Sequence, residues 1–186
     1  DHSCTLLAAL RLGEPHRSPA VNDWQPPFEV VHALLSAVKL ISSNEQPVVE
    51  DARPFLEMKR GAALSWLVKG WLVSDLFDEL RLMPAIVCEG SWHRDSVMAR
   101  NKVLEFLSEI PAGSWWNLDS FIKGIYEREP DFQRSAGDFD SWLVRDAATG
   151  ALLTGISHWD EVDGALIHYL MTGPMHWLGL IDLASP

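Results

Sequence analysis

One phrase recurs along this chain of 186 residues: an apolar helical run, a break, a tryptophan and a second apolar run. It is read in Ala63–Leu80 (ALSWLVKGWLVSDLFDEL), Lys102–Phe121 (KVLEFLSEIPAGSWWNLDSF) and Leu166–Leu180 (LIHYLMTGPMHWLGL). Nine tryptophans are spread through the chain, several of them at these corners. A unit of this size cannot close a core alone, so the pattern predicts small helical modules stacked on one another.

The balance of residues narrows the class. With 47% hydrophobic and 22% charged residues, the chain has enough apolar material for an ordered core. No apolar run reaches the roughly 18–20 residues that a membrane-spanning helix needs. The densest stretch, Leu76–Val87, is broken by Asp78, Glu79, Arg81 and Pro84. Cys4 and Cys88 lie far apart without CxxC spacing, and no basic-then-apolar leader opens the chain. Both observations point to a reducing cytoplasm. The missing initiator Met and the apolar Trp177–Leu183 segment without a following partner suggest a piece of a longer polypeptide.

Charge sets the partners. The formal net charge is −11, with −4 carried by residues 1–91 and −7 by residues 92–186. From Asp146 to Pro186 there are five acids and no Lys or Arg. Affinity for nucleic acid comes largely from cations that neutralise phosphates. The last forty residues therefore do not form a generic phosphate-binding face.

Periodicity places the elements. Helices are predicted for Cys4–Leu12 and Phe28–Ile41, separated by a Pro-, Asn- and Ser-rich loop over Gly13–Pro27. Ala63, Leu64, Leu67, Val68, Trp71 and Leu72 form a stripe wide enough to place that helix at the centre of its module. Ser74 is expected to cap a short helix ended by Pro84. Val103, Phe106, Leu107 and Ile110 repeat at helical spacing, as do Leu118, Phe121, Ile122 and Ile125. Ser141–Ile156 reads as a β-hairpin turning at Thr149-Gly150. Asp160 is expected to cap a last helix, with Asp163 completing a capping box and Gly173-Pro174 closing it. Polar breaks at Ser42–Glu50 and Glu89–His93 divide the chain into an N-terminal helical segment (1–50), a helical module (51–92) and a third module (93–186) truncated at its C-terminal end.

Helix, corner, helix and hairpin within Arg94–Ile156 is the order of a winged helix, a helix-turn-helix followed by a β-hairpin wing. Its third helix has to fit between Glu129 and Asp140, where PDFQRSAGDFD is poor helix material. The fold class expected is α+β and helix-rich, with winged-helix-like modules and a small hairpin wing. The phrases LVKGWLVSDLFDEL (Leu67–Leu80), WWNLDSFIKGIYEREPDFQR (Trp115–Arg134) and WDEVDGALIHYLMTGPMHWLGLID (Trp159–Asp182) resemble uncharacterised bacterial proteins with tandem winged-helix regions, some of them helicase-associated. The resemblance covers about two thirds of the chain and rests on packing motifs. It implies membership in a larger protein and carries over no catalytic residue.

Chemistry is thin. There is no GxxxxGK[ST], GxGxxG, GxSxG, HExxH or EF-hand loop, so no catalytic residue and no cofactor is expected. The seven histidines are scattered, and His168 and His176 have the wrong spacing for zinc, so no metal is expected. The acids Asp138, Asp140, Asp146, Asp160, Glu161 and Asp163 could serve a hydrolase only if two converged in a cleft. Capping and turn chemistry accounts for them better. Trp115, Trp116 and Trp142 could stack on bases, with Lys123, Arg128, Arg134 and Arg145 as candidate nucleic-acid-binding residues. Core packing is the stronger expectation for the tryptophans. The sequence thus reads as a non-enzymatic module that binds a protein partner or other domains of its own polypeptide. DNA binding is the alternative, opposed by the acidic charge.

Overall fold

A computed structural model describes residues 2–12 and 27–184. It is helix-rich with one two-stranded antiparallel sheet, an α+β arrangement. The loop expected over Gly13–Pro27 lies outside these residues except for Pro27, and so does Trp24. The chain forms two units: Asp1–Phe77 with Trp177–Leu180, and Asp78–His176 with Ile181–Pro186.

In the first unit, α1 (His2–Arg11) buries Leu6, Leu7 and Leu10 and packs on α2 (Phe28–Ala37), which buries Val30, Val31, Leu34 and Leu35. The end of α2 is closed by Lys39 in the left-handed region at φ 61°. Leu40 N–H then reaches the Leu35 carbonyl at 2.9 Å and Lys39 N–H the Ser36 carbonyl at 3.0 Å, the two bonds of a Schellman cap. A turn over Ser42–Gln46 leads to α3 (Val49–Glu57) and α4 (Arg60–Val73), which packs against α2. Gly70 is the point of closest approach, because a Cβ there would lie 2.2 Å from Val38 Cγ1.

α4 departs from expectation. Its sequence predicts a central helix, yet only Leu67 and Trp71 are buried. Ala62, Ser65, Lys69 and Val73 are exposed, with Trp66 half-buried on the same face. The stripe is apolar nearly all round, and the fold covers only one side of it.

In the second unit, Asp78 rather than Ser74 caps the short α5 (Glu79–Leu82), its carboxylate accepting Leu80 N–H at 3.1 Å. Ser74 instead ends α4, and its hydroxyl accepts Leu76 N–H at 3.2 Å. β1 (Ile86–Glu89) follows, in a stretch with no strand expected. α6 (Ser96–Ser108) is capped by Asp95 and α7 (Leu118–Arg128) by Asn117, each accepting a backbone N–H at 2.8 Å. Val103, Phe106 and Ile125 turn inward as the 0, 3, 4, 7 spacing requires.

No third helix fills residues 129–142. Successive turns run there instead, closed by Arg134 N–H on the Asp131 carbonyl and Asp138 N–H on the Ser135 carbonyl, both at 2.9 Å. β2 (Leu143–Asp146) pairs antiparallel with β1, Ile86 opposite Asp146 and Glu89 opposite Leu143. The turn at Thr149-Gly150 is present: Asp146 N–H reaches the Ala151 carbonyl and Leu153 N–H the Val144 carbonyl. The returning arm is reduced to one bridge, Arg145 to Leu152.

The last helical stretch begins earlier than expected and is irregular. A 3₁₀ turn (Ile156–His158) runs into a π segment (Asp160–Gly164), α8 (Ala165–Leu170) and a second π segment (Met171–Met175). Trp159 is already helical at φ −58°, ψ −42°, so Asp160 has no extended cap geometry to adopt and does not cap. Gly173 leaves helical geometry (φ −103°, ψ −106°) and kinks the helix at Gly173-Pro174 rather than ending it there. α8 packs on α5 and α7 and buries Leu166, Ile167 and Leu170.

Candidate functional site

The four cationic candidates each face a carboxylate. Lys123, on the open side of α7, pairs with Glu127 one turn on at 3.7 Å. Arg128 grips Glu109 with both nitrogens, Nη1 to Oε2 at 2.6 Å and Nη2 to Oε1 at 2.7 Å, while its guanidinium lies 5.5 Å from the Phe106 ring centre. That grip holds the Glu109 carboxyl below its ordinary range. Arg145, on β2, reaches Glu89 across the sheet at 3.0 Å and the Gly150 carbonyl at 3.0 Å. The Arg134 side chain is buried, with its Nε and Nη2 on the two oxygens of Asp163 at 3.0 and 2.9 Å. The four are directed at four separate partners rather than at one common point.

The pairing extends to the whole unit. Arg81 and Arg94 meet Asp78, Arg100 meets Glu79, and Lys102 meets Glu105 and Glu129. All eight Lys and Arg of the second unit are therefore tied to acids, in a unit holding 17 acids and a formal charge of −9.

The tryptophans divide. Trp71 and Trp159 are core residues, and the Trp159 indole N–H donates to the Pro130 carbonyl at 2.7 Å. Trp142 stacks on Trp92 at 4.9 Å and 10°, with Arg134 4.1 Å from its ring centre. Arg81 lies 4.4 Å from the Trp92 ring centre, which completes a cation–ring–ring–cation ladder between β1 and the 130–142 turns. Trp116 leans on Phe121 at 5.0 Å. Trp115 is 72% exposed, so this corner tryptophan is not a core wedge.

Of the acidic cluster, Asp146 and Asp138 are turn residues as expected. Asp146 accepts the Thr149 hydroxyl and the N–H groups of Thr149 and Ala148, which holds its carboxyl below the usual range. Asp138 accepts the Ser141 hydroxyl and N–H, with the same consequence. Asp163 is different: it is buried and accepts Gln133 Nε2 at 2.6 Å as well as Arg134.

Asp163 therefore belongs to a network the sequence does not announce. Gln133 passes it on to Arg94 Nε at 2.8 Å, and Arg94 to Asp78. Beside it Arg100 Nε donates to Glu79 at 2.6 Å, both side chains fully buried. Three buried guanidiniums, those of Arg94, Arg100 and Arg134, thus face three carboxylates, those of Asp78, Glu79 and Asp163. Burial draws the Arg94 guanidinium below its ordinary range, while Asp78 and Glu79 pull it back. The partners are 16 to 39 residues apart, beyond any local motif. Arg100 alone carries a signal, since it falls on the buried stripe of α6 with Ser96, Ala99 and Val103. A charge in that position demands a buried partner.

The Cys88 thiol is pushed up to about 11 by burial, which leaves it protonated and unreactive at neutral pH. Among the described residues no three His, Cys, Asp or Glu gather to hold an ion, and no helix is long and apolar enough to cross a membrane.

An open concavity lies in the first unit. A shallow groove of about 570 Å³ lies along α4, lined by Met58 at the α3–α4 junction and by Ala62, Ser65, Trp66, Lys69 and Gly70. Trp66 meets Phe55 edge-on at 6.3 Å at its wall. Comparison with family models, curated proteins and solved structures returned no match.

Proposed function

We propose that this chain is a non-enzymatic, winged-helix-like module of a larger bacterial cytoplasmic protein, and that it works by binding other proteins or other domains of its own polypeptide. The observation that carries this is the complete pairing of the second unit's cations. A phosphate backbone would meet a unit of net negative charge whose exposed cations, Lys123, Arg128 and Arg145 among them, already face carboxylates. The order α5–β1–α6–α7–β2 with a hairpin turn supports the winged-helix-like reading. The half-covered α4 and the exposed Trp115 supply apolar anchors of the kind that protein interfaces use.

Two measurements test it. Fluorescence anisotropy with short single- and double-stranded DNA is expected to show no binding at 0.2 M salt. Binding there that disappears in a Lys123→Ala/Arg128→Ala variant would overturn the reading in favour of DNA. Photo-crosslinking residues placed singly at Trp115, Glu127, Ala62 and Val73 in the bacterial parent protein are expected to yield a discrete crosslinked polypeptide from at least one position. Silence at all four would also overturn it.

A further inference from the structure

We infer that the groove along α4 is the docking site for an acidic amphipathic helix of a protein partner, an inference that rests on the interaction reading above. The groove has an apolar floor and wall in Met58, Ala62 and the half-exposed Trp66. Ala62, Ser65, Trp66 and Lys69 sit at helical spacing on one face of α4. That face continues to Val73, 76% exposed. Such a stripe matches the i, i+4, i+7 side chains of a helix laid along it.

The rim identifies the charge of the occupant. Residues 58–74 contain Lys59, Arg60 and Lys69 and no acid, in a chain of net charge −11. All three are exposed, and none forms an ion pair among the described residues. The contrast with the second unit, where every cation is tied to an acid, leaves Lys69 free in the lining of a hydrophobic groove, with Lys59 and Arg60 next to Met58 in the chain. A partner with leucine- or phenylalanine-type anchors and flanking carboxylates satisfies both features at once, and charge complementarity fixes its orientation and speeds encounter. A bilayer calls for a broad apolar face, whereas this one is interrupted by Ser65 and Lys69. A nucleic-acid strand would find one ring to stack on but would leave Met58 and Ala62 without a counterpart.

The test uses the full chain and a fluorescein-labelled helical peptide of about 15 residues, with Leu at i, i+4 and i+7 and Glu on either side. A charge-reversed peptide carrying Lys in place of Glu is the control. The acidic peptide is expected to bind and to weaken as salt rises. Lys69→Glu with Arg60→Glu, both at exposed positions, should lower affinity at least about 10-fold. Trp66→Ala should lower it about 30-fold, the scale of an interface hot spot. Ala62→Glu blocks the groove without touching the core and guards against a Trp66 variant that misfolds.

Equal binding of the charge-reversed peptide, or affinity unchanged in these variants, would overturn the inference. So would variant-sensitive dimerisation in sedimentation, which would make a second copy the occupant. Variant-sensitive binding to phosphatidylglycerol–phosphatidylcholine vesicles would likewise overturn it in favour of a lipid surface. Failure here, together with crosslinks from Trp115 or Glu127, would sink the groove alone. Failure with no crosslink anywhere would sink the interaction reading with it.

Discussion

Replacing Gly70 by alanine should weaken the fold, although alanine in a helix interior ordinarily strengthens it by about 1 kcal/mol over glycine. The reason is the approach of α4 to the end of α2. An added Cβ would lie 2.2 Å from Val38 Cγ1, 3.1 Å from its Cβ and 3.4 Å from its Cα. Carbon atoms rest about 3.5–4.0 Å apart, so the first contact overlaps by more than an ångström. Val38 is buried and β-branched, and turning it away forces a poor rotamer or moves the helix. Overpacking of this kind costs about 1–3 kcal/mol. Set against the propensity gain, the net loss should be about 0–2 kcal/mol.

Gly61, on the same helix with nothing within 4 Å of its would-be Cβ, is the control. Gly61→Ala should leave stability unchanged or raise it by up to about 1 kcal/mol. Urea unfolding of both variants gives the comparison, and Gly70→Ala combined with Val38→Ala should show a favourable coupling. Gly70→Ala as stabilising as Gly61→Ala would refute the close-approach argument.

Three further outcomes are expected. Arg100→Met removes the guanidinium that the buried Glu79 faces and should cost about 3–5 kcal/mol in urea unfolding, with much of the loss recovered in Arg100→Met/Glu79→Leu; full additivity of the two changes would count against a buried pair. Trp115→Ala should change stability by less than about 0.5 kcal/mol, whereas Trp159→Ala should cost about 3–5 kcal/mol, and similar melting shifts for both would contradict their opposite burial. Asp146 has a folded-state pKa shifted below its ordinary value, chiefly by the Thr149 hydroxyl, so its contribution is present above about pH 4 and is lost as pH falls through the folded value. The stability gap between the native chain and Asp146→Asn should therefore narrow on acidification from pH 6 to pH 3; a gap that widens would reverse the sign.

Local physics in the sequence was enough for α6 and α7. Val103/Phe106 and Phe121/Ile125 carry a 3.6-residue period, and the Thr149-Gly150 turn needs only Asp146 and a glycine at positive φ, so each was legible without knowing its neighbours. β1 was not. IVCE is four residues long, and it becomes a strand only because β2, more than fifty residues later, offers its hydrogen-bonding edge. Asp163 looked like a capping residue because capping is a local pattern, and it became a buried ion-pair partner because the turns after Pro130 bring Gln133 and Arg134 beneath it. The same holds for the cations. Composition gave their number and sign, but whether Arg134 meets phosphate or Asp163, and whether Lys69 stays free beside an open groove, depends on which distant acid the fold sets within about 4 Å. Periodicity is written along the chain; burial and charge pairing exist only once remote segments have met.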